Sequence, residues 1–278
     1  MTAMTRIQSR MAELKTQNKT ALIPYITAGD PNPAYTVDIM HSLVASGADL
    51  IELGVPFSDP MADGPVIQKA VERALVHQVS LRDVLAMVKA FRQKDQTTPV
   101  LLMGYFNPIE AMGVAQFAQA ALEAGLDGVL TVDMPPEEAQ DYVACLNRHH
   151  LNCVFLVSPT TPDSRLAAVN QFGSGFVYYV SLKGVTGSAQ LDVQAVKSQL
   201  VHISQKLDLP IGIGFGIRDA RAAYAMAQAG DAVIVGSALV NLVEQHQNES
   251  LGAVTHALMQ QMKVFRSAID KADKGEAL

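Results

Sequence analysis

One carboxylate in this chain stands where water should not reach it. Glu52 lies inside the apolar run Asp49-Leu50-Ile51-Glu52-Leu53-Gly54. In a strand, alternation places Glu52 with Leu50 on one face and Ile51 with Leu53 on the other. If the first face is buried, the carboxylate loses hydration and its pKa climbs toward neutrality, where it can give and take a proton. A structural salt bridge would also account for such a residue, so Glu52 alone leaves both readings open. The loop that follows, Val55-Pro-Phe-Ser-Asp-Pro-Met-Ala-Asp-Gly64, adds Ser58, Asp59 and Asp63, and is stiffened by two prolines and Gly64. Asp63 comes just before Gly64-Pro65, which suits a helix N-cap as well as it suits a second reacting carboxylate.

A second set of residues could hold an anion. Three glycine-containing turns fall late in the chain: Gly184-Val-Thr-Gly187, Gly214-Phe-Gly216 and Gly236-Ser237. Glycine lets backbone N–H groups approach an anion closely, and a helix opening at Ser237 would favour negative charge. Taken singly each is an ordinary turn; in this order they fit a phosphate site built from late strand ends. The histidines are scattered, and His149-His150 reads as a solvated helix end rather than a metal pair. There is no HExxH, zinc spacing or P-loop. The two cysteines, Cys145 and Cys153, form no CxxC and read as thiols of a reducing compartment. No metal or redox cofactor is expected.

The elements that must carry these residues alternate between short apolar runs and amphipathic helices. Strands are predicted at Ala21–Thr27, Asp49–Gly54, Val100–Gly104, Asp127–Thr131, Cys153–Val157, Phe176–Val180, Ile211–Gly214 and Ala232–Val235. Their nearly unbroken apolar character suits parallel strands buried on both faces. Ile7, Met11 and Leu14 recur at helical spacing before the first strand, and Leu251, Val254, Leu258, Met262, Phe265 and Ile269 mark a last helix. Ser80 with Asp83 reads as a capping box opening a helix at Leu81. The pattern predicts a single-domain α/β protein over residues 1–278, a (β/α)8 TIM barrel with an extra N-terminal helix. The alternative, an open doubly wound sheet, lacks its GxGxxG after the first strand. A net charge of −6 argues against nucleic acid, and the chain has no apolar run of transmembrane length. A cytoplasmic protein is expected.

Ile51-Glu-Leu-Gly-Val-Pro-Phe-Ser-Asp-Pro-Met-Ala-Asp-Gly64 resembles the signature of the tryptophan synthase α-subunit family over fourteen consecutive positions. Pro24-Tyr-Ile-Thr-Ala-Gly-Asp-Pro31, Met103-Gly-Tyr-Phe-Asn-Pro108, Val132-Asp-Met-Pro135, Tyr178-Tyr-Val-Ser181 and the late glycine turns follow in the family's order. The resemblance implies a lyase of L-tryptophan biosynthesis: reversible retro-aldol cleavage of indole-3-glycerol phosphate to indole and glyceraldehyde 3-phosphate. It implies Glu52 as the acid–base residue, Asp63 as acceptor of the indole N–H, and Tyr178 as support for Glu52. Thr186 would order a mobile loop against Asp63. Gly187, Gly214, Gly216, Gly236 and Ser237 would form the phosphate site, and Tyr25, Met103, Tyr105, Leu130 and Ile234 the indole wall. The chain would need no cofactor, pyridoxal phosphate being confined to a partner β subunit in an α2β2 assembly. The partner rim would comprise the segment Val55–Pro60 and the turn Asn107–Pro108, with Pro56, Asp59, Pro60, Asn107 and Pro108 as contacts. Two rival functions remain at this point. Another phosphate-binding barrel enzyme would place a lysine or histidine near a strand end, which strands two and three lack. An inactive regulatory relative would lack Glu52 or Asp63, and both are present.

Overall fold

Eight parallel strands hydrogen-bond in chain order and close on themselves, β8 returning to β1. The computed structural model describes residues 4–180, 193–214 and 216–278. Its strands are β1 (Ala21–Thr27), β2 (Ile51–Gly54), β3 (Val100–Gly104), β4 (Gly128–Thr131), β5 (Asn152–Val157), β6 (Val177–Val180), β7 (Ile211–Gly214) and β8 (Ala232–Val235). Around them run α1 (Arg6–Thr16), α2 (Thr36–Ala45), α3 (Pro65–Val76), α4 (Leu81–Phe91), α5 (Phe106–Met112) and α6 (Val114–Ala124). The second half adds α7 (Gln140–Arg148), α8 (Asp163–Phe172), α9 (Val193–Ser204), α10 (Ala220–Ala227), α11 (Ser237–Gln245) and α12 (Leu251–Lys274). Closure removes the open-sheet alternative.

Strand parity divides the core in two. Outward residues such as Leu22, Ile51, Leu53, Val100 and Val233 pack under the helices. Inward residues Ile23, Leu50, Leu101, Leu130, Val154, Phe176 and Ile234 fill the barrel, and Ile7, Met11 and Leu14 of α1 join them. The N-terminal helix therefore plugs one end of the barrel with the apolar stripe its spacing predicted. The Ser80–Asp83 capping box is present, Asp83 accepting from the Ser80 N–H at 2.9 Å. The helix end expected at Gly125 carries the left-handed φ of 78° that a glycine adopts without strain.

Two acidic residues expected inside strands stand just before them. Asp49 precedes β2, where its carboxylate accepts from the Leu22 N–H at 2.8 Å and from Arg10 at 2.6 Å. Asp127 precedes β4 and accepts from the Val100 N–H at 2.7 Å, Arg92 at 2.6 Å and Arg6 at 2.8 Å. Each carboxylate satisfies an N–H near the start of the preceding strand, Leu22 in β1 or Val100 in β3, and holds an arginine of α1, which pins that helix to the barrel floor.

Removing one of these carboxylates should be costly. In Asp127→Ala the Val100 N–H loses its acceptor, and the Arg92 side chain, 6% exposed, loses its carboxylate partner and keeps only the carbonyls of Gly125, Asp95 and Thr98. We expect a loss of about 3–5 kcal/mol in urea unfolding, the scale for stranding a buried charge. The exposed Glu13→Ala should change stability by no more than about 0.5 kcal/mol. Equal effects from the two would show that the buried cluster has no special structural weight.

Candidate active site

Glu52 lies on the inward face of β2, level with Tyr25 of β1 and Leu101 of β3. It is 1% exposed. Neither of its carboxylate oxygens has a hydrogen-bond partner, and none of the ion pairs among the described residues includes it. The salt-bridge reading is therefore not met. Burial, followed by the negative charge of Asp63, pushes the Glu52 pKa up to about 8. At neutral pH the group is a carboxylic acid with a proton to give.

Asp63 belongs to the loop that faces this acid. It is not a helix cap: Gly64 occupies the N-cap of α3, with Pro65 at the first helical position, and no side chain caps the helix. The Asp63 carboxylate instead accepts from the Tyr105 hydroxyl at 3.1 Å. Burial raises its pKa, and the Tyr105 bond opposes that rise. The helix that follows is anchored by Arg73, which donates to both oxygens of Asp30 at 2.7 and 2.9 Å and lies 3.5 Å from Glu244 of α11. Loop, β1 end and α11 are thereby held in one frame.

Two tyrosines reach inward beside Glu52, each into space left by a glycine. A Cβ on Gly54 would fall 2.1 Å from the Tyr25 hydroxyl, and one on Gly214 would fall 2.2 Å from that of Tyr178. The Tyr25 hydroxyl lies 3.2 Å from Thr27 Oγ1. Burial raises the pKa of Tyr178 well above its ordinary value, and the nearby charge of Glu52 adds to this, so the phenol stays protonated. Leu130 and Ile234 are buried in the barrel column, and half-buried Met103 packs between that column and Tyr25. Together they make an apolar floor and wall. Tyr105 is buried too, but its hydroxyl is engaged by the Asp63 loop.

At the same rim α11 opens at Ser237, with half-buried Gly236 at its N-cap and no side-chain cap. The Leu239 N–H already donates to the Gly236 carbonyl at 2.9 Å, and the N–H groups before it, at Ser237 and Ala238, come too early in the helix for an intrahelical acceptor. Gly216 takes a φ of 74° after β7. Thr186 and Gly187 lie outside the described residues.

The expected partner rim needs two corrections. Pro56 is buried, as is Val55, because the Val55 N–H bonds to the Met103 carbonyl at 2.8 Å and prolongs the strand pairing. Asn107 and Pro108 lie in the first turn of α5 and not in a turn between elements. Pro108 is tolerated there because a first-turn N–H has no intrahelical acceptor. Asp59 and Asn107 are exposed, and Pro60 and Pro108 half-exposed. Met61, not singled out from the sequence, is 86% exposed on the same loop. Gly54, Thr27, Asp30 and Arg73 were also missed. Only Gly54 carried a signal, a glycine on the strand next to an inward tyrosine.

The geometry thus offers a neutral buried acid, a second carboxylate near enough to raise its pKa, apolar side chains beside it, and a helix opening suited to an anion. Among the described residues no three His, Cys, Asp or Glu side chains come together as a metal-ligand set. A family model described as tryptophan synthase alpha chain matches residues 11–269. The tryptophan synthase alpha chain of Hydrogenovibrio crunogenus is 64% identical over 270 residues, covering 97% of this chain and 99% of the relative. That of Marinobacter nauticus is 56% identical over 267 residues, covering 96% and 98%. Among solved structures, tryptophan synthase subunit alpha from Legionella pneumophila superposes with a TM-score of 0.91 at 46% identity, covering 97% of this chain and 100% of that one. An aminoacrylate-bound tryptophan synthase from M. tuberculosis superposes at 0.83 and 35% identity, covering 95% and 99%.

The glycine slot at β2 yields a direct test. Tyr25 packs against Ala70 and Val240, so it has little room to yield to a new methyl group. Gly54→Ala should cost about 1–3 kcal/mol in urea unfolding and alter the near-ultraviolet dichroism of the tyrosines. Gly64→Ala, with nothing within 4 Å of the new Cβ, should leave the dichroism unchanged and cost no more than about 1 kcal/mol, the scale of a poorer N-cap residue. A silent Gly54→Ala would mean that Tyr25 is free to move.

Proposed function

The chain belongs to the tryptophan synthase alpha chain family, and on that footing we propose how its residues carry out the family's reaction. That reaction is the cleavage of indole-3-glycerol phosphate to indole and glyceraldehyde 3-phosphate in L-tryptophan biosynthesis, and the chain is a lyase of this kind. The observation that carries the assignment is Glu52, buried, unpartnered and raised to a pKa of about 8.

Glu52, protonated at neutral pH, delivers its proton to indole C3. The ring becomes cationic, and the ionised Asp63 accepts the indole N–H and stabilises the charge. The Glu52 carboxylate formed in that step takes the proton of the glycerol hydroxyl next to the ring. The carbon–carbon bond breaks as the aldehyde forms, the bonding pair returns to the ring, and Glu52 ends as it began. Tyr178, protonated beside Glu52, supports it. Tyr25, Met103, Leu130 and Ile234 wall the indole. Backbone N–H groups at Gly216, Gly236 and Ser237 hold the phosphate, and Gly214 beside them leaves room for the Tyr178 ring. Thr186 and Gly187 are assigned to loop closure and phosphate binding by resemblance alone.

Family members partner with a β subunit. We place that partner on Asp59, Pro60, Met61, Asn107 and Pro108, in an α2β2 assembly. Pyridoxal phosphate belongs to the partner, and this chain uses no cofactor of its own. No helix among the described residues is long and apolar enough to cross a membrane, and a cytoplasmic location is part of the proposal.

Glu52→Gln should lower turnover of indole-3-glycerol phosphate by about two to four decades while the fold persists. It should also reveal the burial of the acid. Folding raises the Glu52 pKa from 4.5 to about 8, so the folded chain holds a proton that the unfolded chain releases. Wild type should therefore lose stability relative to Glu52→Gln as pH rises through that window. Near-normal turnover would remove Glu52 from the mechanism, and parallel stability curves would show that it titrates as an ordinary carboxylate.

For the phosphate site, inorganic phosphate at millimolar concentration should raise the unfolding temperature of wild type. Ser237→Asp places a negative charge at the same helix opening, where it suits the helix and repels the ligand. We expect the phosphate effect to vanish and KM to rise about tenfold or more, tenfold being the scale of one ordinary interaction. An unchanged KM would move the phosphate elsewhere.

A further inference from the structure

We infer that Tyr105 is a positioning residue whose hydroxyl aims Asp63 and keeps it ionised. The inference rests on the assignment of Asp63 to the indole N–H. The Tyr105 hydroxyl accepts from the Ala62 N–H at 2.9 Å and donates to Asp63 Oδ2 at 3.1 Å. One phenol supports both bonds, since it carries a single donor and free lone pairs. It therefore grips the backbone on one side of Asp63 and the carboxylate itself.

Nothing else among the described residues does this over distance. The other hydrogen bonds on residues 58–63 are local: Met61 to Asp59, Asp63 to Pro60, Ser58 to Asp59, and the Gln68 amide to the Pro60 and Asp63 carbonyls. None of those fixes the Asp63 side chain. Tyr105 comes from the β3–α5 junction, 42 residues along the chain. It is itself well fixed: 5% exposed, with its ring 5.2 Å from that of Phe57 and tilted by 32°.

The bond has an electrostatic consequence as well as a geometric one. Burial favours the neutral form of Asp63, which could not stabilise a cationic ring. A hydrogen bond donated to the carboxylate favours the charged form, and Tyr105 supplies it. Loss of the hydroxyl should therefore both loosen Asp63 and raise its pKa.

The test is Tyr105→Phe, which keeps the ring and its packing on Phe57, assayed for cleavage of indole-3-glycerol phosphate from about pH 5 to 9. We expect kcat/KM to fall ten- to a hundredfold, the range for one lost bond to a charged group. We also expect the acid limb of its pH profile to move upward by about one unit. A smaller folded fraction would scale the rate without moving the limb, so the limb decides even if the variant is less stable. An acid limb at the wild-type position overturns the inference. Asp63→Asn separates the two levels. If it is inactive while the Tyr105→Phe limb stays in place, only the role of Tyr105 falls. If Asp63→Asn turns over normally, the assignment of Asp63 falls and takes this inference with it.

Discussion

The desolvation of a single carboxyl group governs how this barrel is built at its catalytic end. Glu52 is 1% exposed and neither oxygen is bonded. A charge so placed is strongly disfavoured, so the group persists as a neutral acid. That state requires dry, apolar surroundings and the absence of a nearby cation. The inward column of Leu50, Leu101, Leu130 and Ile234 supplies the first. The basic side chains of the inner ion pairs sit elsewhere: Arg10, Arg92 and Arg266 at the floor, on Asp49 and Asp127, and Arg73 on Asp30 behind the loop. An arginine moved next to Glu52 would restore an ordinary ion pair and remove the proton that the chemistry needs.

The neighbouring groups follow from the same requirement. A pocket for a flat aromatic substrate beside a neutral acid needs rings, and rings need depth. Tyr25 and Tyr178 find it because Gly54 and Gly214 lack the Cβ atoms that would occupy the same space. Asp63 must behave in the opposite sense to Glu52 although the two are close enough to raise the Glu52 pKa. The difference is made by exposure and by one donor: Asp63 is half-buried and accepts from Tyr105, whereas Glu52 is sealed and accepts from nothing. Two carboxyl groups are thus pushed apart in proton affinity by environment alone, the arrangement by which acid and base roles are divided.

Local periodicity in the sequence encodes the strands and the face of Glu52, but not the contacts between distant segments. The strands are legible because parallel strands buried on both faces are nearly pure apolar runs, and parity sets Glu52 on the face of Leu50 without saying which face is inward. Their first residues were misjudged at Asp49 and Asp127, since an acid before a strand and an acid within it look the same until its partners across the barrel are known. The choice between salt bridge and free acid at Glu52 also depended on distant residues. Asp63 as a cap or a reacting group turned on Tyr105, 42 positions away. Asn107-Pro108, expected as a turn of the partner rim, lies in the first turn of α5, a position that proline tolerates. Pro56, expected as a partner contact, is buried because the backbone beside it still pairs with β3. In each case the missing information was a contact between segments remote in sequence.

The two ends of the barrel divide stability from chemistry. At the floor, buried carboxylates are fully used: Asp49 and Asp127 each bind a strand N–H and two arginines, so each charge is satisfied several times over. At the mouth, the buried carboxyl group of Glu52 is left unused and costs stability wherever the pH would ionise it in the unfolded chain. The same residue class therefore has opposite energetic signs at the two ends of the barrel, and the sign is set by whether donors surround it. A fold can carry an unsatisfied group of this kind only if it is held together elsewhere. Here the plug formed by α1 and the arginine–aspartate pairs beneath it hold the floor, which leaves the mouth free to keep an acid without a partner, a loop tied by one phenol, and helix N–H groups without acceptors.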